Sequence, residues 1–97
     1  MAQGFAEEKV PGGKLLRARV EFYSTIVHAQ LTGDFFLYPE EALLAVESSL
    51  KGLSPKATGQ EIASAVSAAA EKHKVKMVGI TPESIASVVR KALEAAE

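Results

Sequence analysis

The sequence has no cysteine, no tryptophan and no asparagine, and its 11 basic and 12 acidic residues leave a formal net charge of −1. Without cysteine there are neither disulfide staples nor thiolate metal sites. The balanced and well-mixed charge implies no strongly basic face, so nucleic acid is not expected as the main partner. No apolar run approaches the roughly 20 residues of a membrane span. The start, Met1-Ala2-Gln3-Gly4, lacks the basic region and apolar stretch of a secretory signal. A soluble cytoplasmic protein is the expectation, and the missing Asn and Cys point toward a thermophilic source.

What is present fits one domain of 97 residues. Such a chain holds a modest core, burying somewhat more than roughly 60% of its unfolded surface. It has no room for a deep substrate cavity together with a full catalytic apparatus. A binding module, a subunit or an oligomer is favoured.

The first third reads as strands. Residues 5–10 form a short candidate, closed by the turn signal Pro11-Gly12-Gly13. From Leu15 to Phe22 the pattern alternates, with Leu16, Ala18, Val20 and Phe22 on one face and Leu15, Arg17, Arg19 and Glu21 on the other. Tyr23-Ser24-Thr25 turns the chain. Residues 26–32 alternate again, placing Val27, Ala29 and Leu31 together and Ile26, His28, Gln30 and Thr32 opposite. Connections this short favour an antiparallel meander.

The rest reads as three helices. The first spans about 39–51, with Pro39 at the first helical position, Glu40 and Glu41 at its positive start, and Gly52 ending it. Its stripe is Leu43, Val46, Leu50 and Leu53. The second follows Ser54-Pro55, with Thr58 and Glu61 spaced as a capping box. Its face runs through Ile62, Val66, Ala69, Ala70 and His73. Residues 75–80 form a linker able to be extended. The third has Thr81 as N-cap, Pro82 after it, and Ile80 and Ile85 spaced as a hydrophobic staple. Ile85, Val88, Val89, Ala92, Leu93 and Ala96 make its apolar stripe. Strands first and helices later predict an α+β fold: a small antiparallel sheet of about three strands with three helices on one face.

Few residues carry chemistry. His28 and His73 are the only histidines, and neither has the acid or nucleophile spacing of a catalytic group. Two histidines without cysteine make metal ligation the weaker reading still. Glu40 and Glu41, adjacent on a helix, point in different directions and do not pair for acid–base work. Gly12, Gly13 and Lys14 allow two readings. One is a hairpin turn with a solvated lysine; the other is a contact to an adenylate or phosphate through the flexible backbone and the cation. A P-loop is excluded, because a strand and not a helix follows the lysine. Arg17 and Arg19 belong either to a solvated sheet face or to a surface meeting an acidic patch on a partner.

The most distinctive segment is Thr32-Gly33-Asp34-Phe35-Phe36. Asp34 caps the turn through its own side chain, or fixes Gly33 and the aromatic pair against a partner. Adjacent extended residues face opposite ways, so Phe35 and Phe36 divide between inside and outside. An exposed aromatic on a rigid junction makes an interface anchor.

The run from Lys9 through Pro11-Gly12-Gly13-Lys14 to Leu15, then two strands, then Gly33-Asp34-Phe35-Phe36 and a helix ending at Leu50-Lys51-Gly52, resembles the accessory domain of lipoate–protein ligases. The similarity covers most of residues 8–93. In many such ligases this domain is fused to the catalytic domain; in bipartite archaeal ligases it is a separate small subunit, the form that a single 97-residue domain resembles. The resemblance implies a chain required, with the catalytic large subunit, for ATP-dependent activation of lipoate to lipoyl-AMP before transfer to a lysine of a lipoyl acceptor domain. It implies no catalytic residue and no cofactor on this chain alone. ATP, Mg and lipoate are expected on the large subunit. Phe35, Phe36, Asp34, Gly33, Arg17 and Arg19 are expected at the partner interface, with no nucleic acid and no membrane. Two other readings stand beside it: an independent interaction module, and a small nucleotide- or anion-binding domain built on residues 11–14.

Overall fold

In the computed structural model, which describes residues 2–12 and 14–96, the chain is α+β. Three strands, β1 (Ala2–Lys9), β2 (Leu15–Phe22) and β3 (Ile26–Gly33), form an antiparallel meander in that order. A second, two-stranded sheet pairs β4 (Phe36–Tyr38) with β5 (Lys76–Val78). The helices are α1 (Ala42–Ser48), α2 (Gly59–Lys72) and α3 (Pro82–Glu94).

The sheet has one dry face. Leu16, Ala18 and Val20 of β2 are buried as their alternation requires, beside Ala29 and Leu31 of β3. α3 lies over β1 and β2, α1 lies against β3, and α2 packs chiefly on α3. Close approach of α3 depends on Gly4, where an added Cβ would stand 1.8 Å from the Ala92 carbonyl oxygen. Lys91 pairs with Glu8 and ties the end of α3 to β1. The expected stripe of α3 is realised at Ile85, Val88, Val89, Ala92 and Leu93, all buried, whereas Ala96 lies past the helix end and is half-buried.

Several expectations need correction. The first strand runs over Ala2–Lys9 and not 5–10. In β3 the inward residue is Ile26, and Val27 is exposed. The cause is a bulge: Glu21 pairs with His28 and Phe22 with Ile26, so Val27 is an extra residue and the alternation slips by one. The first α-helix begins at Ala42, not Pro39. Pro39 follows a cis peptide bond, and Pro39, Glu40 and Glu41 form tight turns whose carbonyls accept from Ala42, Leu43 and Leu44 at 3.0–3.3 Å. The glutamates therefore precede the helix and do not fill its first turn. The same helix ends at Ser48, and Gly52 instead closes the turns beyond it at φ +89°. The Gly52 N–H donates to Ile26 O, and the Ile26 N–H to Leu53 O, which ties this end to β3. His73 is exposed at the C-cap of α2 and adds nothing to its packed face.

Both long helices start as their sequences predict. The Thr58 hydroxyl accepts from the Glu61 N–H at 3.1 Å, and the Glu61 carboxylate accepts from the Thr58 N–H at 2.9 Å. Thr81 caps α3, and Ser84 completes a second box that the sequence reading did not include.

Candidate functional site

The aromatic segment is a strand, and this decides which phenylalanine is free. β4 pairs with β5 in the register Phe36↔Val78, Leu37↔Met77, Tyr38↔Lys76. Opposed residues share a face, so Leu37 and Met77 point inward while Phe36, Val78, Tyr38 and Lys76 point outward. Leu37 is 4% exposed; Phe36 is 64%, Tyr38 56% and Val78 42% exposed. Phe35, just before the strand, is half-buried against the core. The ribbon thus presents two aromatics and a valine beside a lysine to solvent. A shallow pocket of about 170 Å³ lies at its edge, lined by Phe35, Phe36, Leu37, Glu40 and Leu43.

Backbone contacts hold the elbow before the ribbon rigid. Gly33 sits at φ +143°, and a Cβ there would fall 2.2 Å from Leu15 O. The Asp34 N–H donates to that same carbonyl at 2.8 Å. Asp34 therefore fixes the turn through its backbone, not through the side-chain cap expected for it. From the other side, Gly79 at φ +90° lets its chain pass against Asp34 and Phe35; a Cβ there would be 3.1 Å from Asp34 O.

Arg17 and Arg19 are on the open face of the three-stranded sheet, not on the ribbon. Arg17 pairs with Glu7 at 3.0 Å, and the Arg19 guanidinium lies 5.8 Å from the centre of the Phe5 ring. Both cations thus have partners within the chain. Lys14 and Gly12 are exposed in the β1–β2 hairpin, closed by the Val10 N–H donating to Lys14 O at 2.8 Å. Gly13 lies outside the described residues. Gly12 adopts φ +97°, as a turn glycine does. Pro11 borders a hollow of about 370 Å³ that reaches the start of α3, where the Thr81 and Ser84 amides are already occupied by their capping box.

Among the described residues no cluster of three His, Asp or Glu side chains is placed to hold a metal. His28 and His73 are exposed and lie on different elements. Among the described residues the one carboxylate held clearly below its usual range is Glu61, and its cause is the Thr58 backbone N–H followed by the Thr58 hydroxyl, a helix cap. Among the described residues no helix is long and apolar enough to cross a membrane. The ribbon offers an exposed apolar surface. Tyr38 and Val78 belong to that surface and were absent from the expected set. A three-residue strand carries too little alternation to announce itself, and Val78 joins Phe36 only through pairing across some forty residues.

No family model matches the chain, and no curated protein matches it. Its fold is similar to that of a chain in a solved structure of an archaeal lipoylation system, comprising a bipartite lipoate protein ligase and its E2 lipoyl domain, from Thermoplasma acidophilum. The TM-score is 0.67 at 23% identity, and the match covers 93% of this chain and 96% of that one.

Proposed function

We propose that this chain is the accessory subunit of a two-part, ATP-dependent lipoate–protein ligase, acting with a larger catalytic subunit in the cytoplasm. The observation that carries the reading is the end-to-end fold overlap with a chain of similar length from an archaeal bipartite ligase system. The exposed aromatic ribbon supports it, since an accessory subunit needs a docking surface.

Activation of lipoate to lipoyl-AMP requires ATP and a carboxylate held in attack geometry and shielded from water. In this reading the large subunit holds ATP, Mg and lipoate, and the small one docks on it and orders its loops. Transfer to the lysine of the lipoyl acceptor domain follows. Phe36 is the principal anchor, with Tyr38 and Val78 beside it. Phe35 links the anchor to the core, and Gly33 and Asp34 hold the elbow. Arg17 and Arg19 offer a secondary polar contact, and Gly12, Gly13 and Lys14 remain a candidate contact to adenylate or phosphate.

Co-purification with a ligase catalytic chain that lacks its own accessory domain tests the reading. A stable one-to-one complex is expected, weakened by Phe36→Ala. No complex at tens of micromolar would overturn it. A free chain that bound nucleotide tightly would instead favour the anion-binding module.

A further inference from the structure

The two edges of the three-stranded sheet are treated differently. On the β3 side, the Glu47 carboxylate accepts from the Leu31 N–H at 2.7 Å, and residues 52 and 53 bond Ile26, so that edge is partly covered. Among the described residues the β1 edge is open: β1 pairs with β2 alone. The register identifies its free groups. Asp34 N donates to Leu15 O, so the odd residues of β2 bond β3 and the even ones bond β1. The Val10–Lys14 bond continues the same phase. In β1, therefore, the even residues bond β2, and Gln3, Phe5, Glu7 and Lys9 turn their N–H and C=O groups outward.

An open edge of eight residues is a template for another strand. We propose that a second copy of this chain occupies it, β1 pairing antiparallel with β1 about a two-fold axis centred on Phe5. This inference does not depend on the ligase reading, because it uses neither β4 nor β5, and it takes Arg19 only in its contact with Phe5 within the chain. Three features favour the second copy. In this register Phe5 meets its own copy, Gly4 faces Ala6, and Gln3 faces Glu7, so no like charges oppose. Phe5 is 49% exposed and carries Arg19 against its ring, so pairing places an aromatic couple between two guanidinium groups. The third is spacing. α3 covers β1 and β2, and strands lie about 4.8 Å apart, so the two copies of α3 would come to roughly 10 Å, the separation of packed helices.

Proline at position 5 removes an outward donor without removing a β1–β2 hydrogen bond. Sedimentation of the wild-type chain at tens of micromolar should give twice the monomer mass, and Phe5→Pro should halve it. Amide exchange keeps the test independent of how well that variant folds. In the wild type, the amides of Gln3, Phe5, Glu7 and Lys9 should slow at least tenfold as concentration rises through dimerisation, while those of β4 stay unchanged. A monomer at all concentrations, or a dimer whose odd β1 amides exchange freely, would overturn the proposal.

Discussion

Phe36 and Leu37 are neighbours in one short strand, yet they face opposite ways, so truncating each has a different consequence. Leu37 is 4% exposed and packs inward, so Leu37→Ala removes buried methyl groups and should cost about 2–5 kcal/mol. At roughly 4–8 °C per kcal/mol for a domain of this size, Tm should fall by at least about 8 °C. Phe36 is 64% exposed and faces away from the core, so Phe36→Ala should change the free chain by no more than about 0.5 kcal/mol. Its loss should appear on binding. Removing a central aromatic anchor costs about 2 kcal/mol or more, which is roughly a 30-fold rise in Kd. The assay is paired: thermal unfolding of the free variants, then titration of each against the catalytic subunit by calorimetry. If Phe36→Ala lowered Tm as far as Leu37→Ala does, its side chain would belong to the core. If it left Kd unchanged, the ribbon would not be the docking surface.

Gly33→Ala should destabilise the free chain by about 1–3 kcal/mol, because its Cβ would collide with Leu15 O at a positive φ; chemical denaturation measures it. Glu47→Ala should cost about 1–3 kcal/mol, since the Leu31 N–H loses its acceptor, and the Leu31 amide should exchange faster. The Thr58 cap depresses the folded pKa of Glu61, so its contribution is present above the unfolded pKa and lost as pH falls through the folded one. The stability gap between wild type and Glu61→Gln should therefore shrink as Tm is followed from about pH 6 to pH 3.

What the sequence made legible was local. β2 alternates strictly and was placed from Leu15 to Phe22; the cap at Thr58 follows from Glu61 three residues on, and that at Thr81 from Pro82 after it and the Ile80–Ile85 staple. The division of Phe35 and Phe36 between inside and outside was legible too, but not its direction. That depends on β5, whose pairing partner lies beyond two helices. Val27 was misplaced because a bulge leaves no mark in an alternating pattern. Pro39-Glu40-Glu41 has the composition of a helix start, yet pairing of β4 holds the chain extended through Tyr38 and delays the helix to Ala42. The candidate surface was half visible for the same reason: Phe36 is announced by its neighbours, whereas Tyr38 and Val78 acquire meaning only from the ribbon.

In the proposed role this chain completes a ligase whose chemistry it does not perform by itself. Lipoate-dependent pyrophosphate release, measured on the catalytic subunit with and without this chain, tests it most directly. The account predicts little release from either chain alone and full release from the pair. Full-rate lipoyl-AMP formation by the catalytic subunit alone would contradict it.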